Sequence, residues 1–170
     1  LNLQGPNFTV DSACSSGVAA LIPAIYQLMY GQVEMMISGG LNQQLSDVFT
    51  AGVCSLGAVA SEVARPFDAE GQGFLIGEGG VFFLLKRLQD ARRDGDKILG
   101  VINAVGGSSE ADSKSMVAPT EEAVRRSIRD ALAKTSIKPE QIGVVDMHGS
   151  ANKLSDLVEA RALAAELRPN

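Results

Sequence analysis

Apolar residues along this chain alternate between a helical and an extended spacing, and that alternation lays out most of its elements. In SSGVAALIPAIYQLMYG (15–31), Val18, Leu21, Ile22, Ile25, Leu28 and Met29 recur at the three- and four-residue steps of a helix. Ser15 or Ser16 is placed to cap this helix and Gly31 to end it. Pro23 has no N–H to give and crowds the turn before it, so it predicts a bend or an irregular first half. Upstream, Phe8–Val10 is a short extended run entering a turn of small residues.

VEMMISGG (33–40) reads as a compact strand and the Gln/Ser/Asp-rich LNQQLSD (41–47) as a loop. FTAGVCSLGAVASE is small enough throughout for either a short helix or a packed loop. ARPFDAEGQGFLIGEGG gathers Pro66, Asp68 and glycines 71, 73, 77, 79 and 80, which predicts a convoluted connection. VFFLLKRL follows as a buried strand, DARRDGD (90–96) as a charged turn, and ILGVINAV as another strand. SSEADSKSMVAPT is polar and reads as exposed.

The clearest helix is TEEAVRRSIRDALAKT. Thr120 can cap it, Glu121 and Glu122 sit in its first turn, and Val124, Ile128 and Leu132 share a stripe. IGVVDMHG gives a further strand ending at His148, and SDLVEARALAAEL starts a last amphipathic helix with Ser155 or Asp156 as cap. Strands alternating with helices predict an α/β fold with a largely parallel sheet. A boundary is expected near Gly95–Lys97, and two such units need more strands than the pattern supplies.

Composition then removes whole classes of function. The 170 residues are 45% apolar, enough for one modest domain or pieces of two. With 15 Lys+Arg against 20 Asp+Glu, the net charge of -5 offers no electrostatic footprint for nucleic acid. No apolar run approaches the roughly 20 residues of a membrane span, and no basic segment followed by an apolar stretch opens the chain. Two cysteines, Cys14 and Cys54, do not form a secreted disulfide framework and fit a cytosolic, thiol-bearing protein. The chain opens on Leu1 rather than Met and enters straight into a patterned segment, which predicts a start inside a longer polypeptide.

Chemistry concentrates at Cys14. A thiol between a strand end and a helix start meets backbone N–H groups and the positive end of the helix dipole, which favour thiolate and can hold an oxyanion. The alternative is a small buried filler, since free cysteine is often buried. Cys54, among Val, Leu and Ala, is a weaker nucleophile candidate. His148 is the only histidine and stands at a predicted strand end, where open sheets place functional groups. One histidine and two remote cysteines do not give zinc spacing, and glycines 77, 79 and 80 are not followed by the Lys-Ser/Thr of a phosphate loop. Glu78 and Asp68 read as hydrogen-bond anchors in a Gly-rich connection, Asp68 through an ion pair or turn bond.

In order along the chain, GPNFTVDSACSSG, VEMMISGG, ARPFDAEGQGFLIGEGG, VFFLLKRL, DARRDGDKILGVI and VVDMHGSANKLSDLVEARAL resemble the β-ketoacyl synthase (ketosynthase) family of fatty acid and polyketide synthases. The resemblance covers nearly the entire chain, and ACSS with RPFDAEGQG leans toward the polyketide type. It implies a partial thiolase-like fold of mixed sheets. Residues 1–97 would be the later part of the N-terminal half, carrying Cys14, and 98–170 the early part of the C-terminal half, carrying His148.

The same resemblance implies that Cys14 takes an acyl group as a thioester and that His148 hydrogen-bonds the malonyl thioester carbonyl during decarboxylative condensation. It implies no bound cofactor and no metal. Substrates would arrive on the phosphopantetheine of an acyl carrier protein, to a cytoplasmic homodimer completed by the remaining ketosynthase segments. Where the family reads His-Gly-Thr-Gly-Thr, this chain has His148, Gly149, Ser150, Ala151 and Asn152, a loop expected against the pantetheine arm, with Ser150 and Asn152 as its contacts. Gly-Asp-Pro-Ile-Glu becomes Ser155, Asp156, Leu157, Val158 and Glu159. The family's second catalytic histidine and helper lysine are not in this chain, so alone it is not expected to condense acyl groups. The competing classes are a non-catalytic scaffold or chain-length partner and a thiolase-fold, coenzyme-A-dependent synthase.

Overall fold

The computed structural model describes residues 2–43, 46–110 and 118–168. They fall into two compact units, one of residues 1–43 and 78–102, the other of residues 44–77 and 103–170.

In the first unit a 3-10 turn, Ala13–Ser15, leads into α1 (Ser16–Ala19) and α2 (Leu21–Met29). The break falls at Ala20, three residues before Pro23, as a residue without an N–H requires. Ser15 takes the N-cap position of α1 but gives no side-chain cap: Ser15 Oγ donates to Ser12 O and Ser16 Oγ to Ala13 O, so both hydroxyls are spent on the preceding turn. Gly31 ends α2 at φ 68°, where its N–H reaches Leu28 O while that of Gln32 reaches Gln27 O. Phe8–Val10 forms no paired strand among the described residues.

Strands β1 (Met35–Asn42) and β2 (Gly79–Lys86) pair antiparallel, from Met35 opposite Lys86 to Asn42 opposite Gly79. Leu41 and Asn42 therefore belong to a strand and not to the expected loop, because Gly79 and Gly80 supply them with partners. Of the rest of that loop, Gln44 and Leu45 lie outside the described residues. The small residues of ISGG let helix and strand approach: Ser38 Oγ donates to Ala20 O at 2.9 Å, and a Cβ on Gly40 would stand 3.0 Å from Gly17 Cα.

Two sequence expectations fail here. β2 is not a buried strand, since Val81, Phe82, Phe83 and Leu84 are all exposed. Its unbroken apolar run suits a strand covered on both faces, and the three short helices of this unit leave it exposed. The segment 90–96 is more than a turn. Leu88–Arg93 form α4, ended by Gly95 at φ 72°, and Lys86 bonds both Asp94 (2.5 Å) and Asp96 (2.6 Å). Arg87 joins α4 to α2, donating to Asp90, Leu28 O and Val33 O.

The second unit holds α3 (Asp47–Ser55, capped by Ser46), α5 (Glu121–Ala133), a 3-10 turn at Pro139–Gln141 and α6 (Lys153–Leu167). Thr120 caps α5 as expected, accepting from Ala123 N. α6 begins earlier than expected and its cap is Asn152, whose Oδ1 accepts from Leu154 N and Ser155 N, in place of Ser155 or Asp156. Helices α5 and α6 pack through Arg125 and Arg129, both bonded to Glu166, which holds the Glu166 carboxyl below the usual carboxylate range.

The expected parallel sheet is absent among the described residues; a single parallel bridge joins Val59 to Phe74. ILGVINAV and IGVVDMHG have the right composition but form no ladder, because a strand exists only where a neighbour pairs with it. Of the polar segment 108–120, residues 111–117 lie outside the described set. Among the described residues the buried apolar positions are Leu28 and otherwise alanines: Ala24 and Ala91 with Leu28 in the first unit, Ala60, Ala123, Ala151 and Ala162 in the second.

Candidate active site

Cys14 sits in the first unit at the centre of a tight turn and is exposed, so the buried-filler alternative does not hold. The turn is made by Ala13, which adopts φ 48°, a left-handed conformation that costs an L-residue with a side chain roughly 1–2 kcal/mol. Short polar residues hold it there. Asp11 Oδ1 accepts from Ala13 N at 3.0 Å, Ser16 Oγ accepts from Ser12 N at 2.8 Å, and Ser15 N donates to Ser12 O at 3.1 Å. Among the described residues no acceptor meets the N–H of Cys14 itself. Cys54 is also exposed, on the last turn of α3, without a comparable turn around it.

His148 lies in the second unit on irregular backbone, not at the end of a paired strand. It is exposed, and its backbone is fixed by main-chain contacts. Glu159, in the second turn of α6, accepts from His148 N at 2.6 Å and from Gly149 N at 3.1 Å, so one carboxylate grips two successive amides. Gly149 at φ 57° and Ala151 at φ 55° turn the chain twice within three residues. Ala151 is fully buried, and its carbonyl accepts from Gly73 N at 2.9 Å.

Residues 66–73 of the Gly-rich connection pack against this turn. Phe67, at φ 62°, donates its N–H to Asp156 Oδ2 at 2.6 Å, and Asp156, 5% exposed, also accepts from Ser150 Oγ at 3.4 Å. Glycine is required at 71, where a Cβ would fall 2.7 Å from Ala151 O. Asp68 makes the turn bond, accepting from Glu70 N at 2.8 Å, whereas the ion pair of Arg65 is with Glu70.

Sequence reasoning singles out Cys14, His148, Ser150 and Asn152 and gives no positioning role to Asp156, Glu159 or Phe67. A signal for the two acids exists: Asp156 and Glu159 persist where the surrounding Gly-Asp-Pro-Ile-Glu pattern has changed. Ser150 and Asn152, expected against a pantetheine arm, make bonds within the chain, to Asp156 and to the start of α6. An open groove of about 480 Å³ lined by Glu62, Arg65, Glu70, Gln72 and Lys153 includes neither Cys14 nor His148 in its wall. Among the described residues no three His, Cys, Asp or Glu side chains are grouped to hold a metal ion, and no helix is long and apolar enough to cross a membrane.

Known proteins are similar to this chain in sequence and in fold. Residues 1–91 match the family described as "Beta-ketoacyl synthase, N-terminal domain" and residues 99–170 match "Beta-ketoacyl synthase, C-terminal domain". A phenolphthiocerol/phthiocerol polyketide synthase of Mycobacterium tuberculosis is 36% identical over 168 residues, 98% of this chain and 9% of the relative. Polyketide synthase ThaG of Burkholderia thailandensis is 38% identical over 169 residues, 99% of this chain and 3% of its own length. A ketosynthase from module 6 of the bacillaene synthase of Bacillus subtilis 168 superposes with a TM-score of 0.94 at 32% identity, covering 98% of this chain and 30% of that one. The chain thus spans a small part of each relative it matches.

Proposed function

This chain belongs to the β-ketoacyl synthase family, with the fold of a thiolase-like ketosynthase fragment, and from that premise we propose that Cys14 is its acyl-accepting nucleophile. The Cys14 sulfur attacks the carbonyl of an acyl thioester carried on the phosphopantetheine of an acyl carrier protein. The tetrahedral oxyanion collapses, the carrier thiol leaves with a proton, and the acyl group remains on Cys14. The observation that carries this reading is the exposed thiol on a strained, serine-braced turn with its own N–H unengaged among the described residues. A donor already in place costs nothing to reorient when charge develops on the carbonyl oxygen.

In the second step a malonyl thioester loses carbon dioxide, and its electron pair becomes an enolate on the thioester. His148 donates a ring N–H to that enolate oxygen. The carbon attacks the acyl-Cys14 carbonyl, the Cys14 sulfur leaves, and a 3-oxoacyl thioester two carbons longer results. Residues 1–97 and 98–170 are parts of the N- and C-terminal halves of one ketosynthase, which acts as a homodimer completed by its remaining segments. The polyketide synthases among its relatives favour a polyketide context.

Competitive labelling of the full-length protein tests the nucleophile. Iodoacetamide and a fatty-acyl thioester mimic should modify Cys14 faster than Cys54, read by peptide mass mapping. Equal labelling of the two, or none at Cys14, overturns the reading.

A further inference from the structure

The turn that presents His148 is gripped on one side by Glu159 and has little side chain of its own, since Gly149 and Ala151 occupy its left-handed positions. On the other side stand Pro66 and Phe67. A Cβ placed on Gly149 would be 3.4 Å from Phe67 Cε2 and 3.4 Å from Pro66 Cβ, so the aromatic edge lies against the backbone directly after His148.

Phe67 reaches that place at a cost. Its φ of 62° is a true outlier for a bulky residue, and glycine is the ordinary solution for such a turn. Burial does not repay the strain, because Phe67 is 45% exposed. The conformation is enforced by Asp156, a buried carboxylate on α6 that accepts the Phe67 N–H at 2.6 Å. A strained residue that gains little from burial and is held by a buried carboxylate is maintained for where it puts its ring.

We propose that Phe67 is a positioning residue for the His148 turn: its ring, laid against Gly149 by the Asp156-held backbone, limits the swing of residues 148–151. The proposal rests on the reading of His148 as the group that acts on the malonyl thioester. It assigns Phe67 no contact with substrate. Acyl transfer to Cys14 does not use His148 and is expected to be indifferent to Phe67.

The experiment compares wild type, Phe67→Gly and Phe67→Tyr in the full-length protein. Phe67→Gly removes the ring while relieving the backbone, so it should fold at least as well as wild type. Acylation of Cys14 should stay within about twofold while malonyl decarboxylation falls about ten- to a hundredfold in kcat and not in KM. Phe67→Tyr should restore it. Hydrogen exchange supplies a readout independent of activity: amides 148–151 should exchange about tenfold faster in Phe67→Gly, with the middle of α6 unchanged. Unchanged exchange at 148–151 overturns the proposal, as does an equal loss of acylation and decarboxylation. A wild-type protein that never acylates Cys14 instead removes the functional reading, and the exchange result still decides the role of Phe67.

Discussion

Both oxygens of the Glu159 carboxylate accept amides from the His148 turn, one from His148 N at 2.6 Å and the other from Gly149 N at 3.1 Å. A carboxylate matches two N–H donors; a carboxamide offers one oxygen and turns an NH₂ toward the other. Glu159→Gln should therefore lower the stability of the full-length protein by about 1–3 kcal/mol, measured by denaturant unfolding. It should also slow malonyl decarboxylation more than Cys14 acylation. A variant as stable and as fast as wild type would mean that the grip is not formed in solution.

The cap of α6 gives a second prediction. Asn152 Oδ1 accepts from two amides, Leu154 N and Ser155 N. Asn152→Ala should cost about 1 kcal/mol, while Asn152→Asp keeps the cap and should be nearly neutral. If Asn152 also touches the pantetheine arm, Asn152→Asp will raise KM for the carrier-bound substrate at unchanged stability. A KM equal to wild type in that variant would leave capping as its whole role.

Near Cys14 the sensitive position is Gly40. A Cβ there would meet Gly17 Cα at 3.0 Å, backbone that can yield only by moving α1, whereas a Cβ on Gly100 meets nothing within 4 Å. Gly40→Ala should destabilise by about 1–3 kcal/mol and slow the alkylation of Cys14, with Gly100→Ala as the silent control. Melting curves and labelling rates measured on the same two variants check this.

Glu166 supplies a pH dependence with a definite sign. Hydrogen bonds from Arg129 and then Arg125 keep its carboxyl below the usual range in the folded state. A carboxyl depressed on folding contributes its stability at pH above its unfolded value of about 4.3 and loses it as pH falls through the folded value. Acid should therefore loosen α5 from α6 below pH about 4, and Glu166→Gln should flatten that limb of the stability curve. An unchanged acid limb in the variant would place the loss on other carboxylates.

Legibility differs by element for physical reasons. The helix 121–133 is readable because its cap, charge placement and stripe are all local and agree with one another. The bend before Pro23 and the stop at Gly31 are readable because each follows from a single residue's backbone chemistry. Strands expected over 98–105 and 142–148 do not form, because pairing depends on a neighbour that the sequence of a strand does not contain. α4 escapes sequence reasoning because Asp90, Arg93, Asp94 and Asp96 suit a turn as well as a short helix, and the contacts of Lys86 and Arg87 decide between them.

The candidate site divides in the same way. Cys14 and His148 stand out by type and position along the chain, since a thiol before a helix and a lone imidazole are local facts. Sequence alone also determined the family resemblance, the absence of a basic footprint and the helical rhythm of the segments. Tertiary structure decided how each group is held: Ala13 strained beneath Cys14, Glu159 across two amides, Asp156 fixing Phe67 from 89 residues away. Those choices could not be read in advance, because a carboxylate is an acid, a cap or a clamp according to which amides the fold brings within about 3 Å of it, and such amides are distant in sequence.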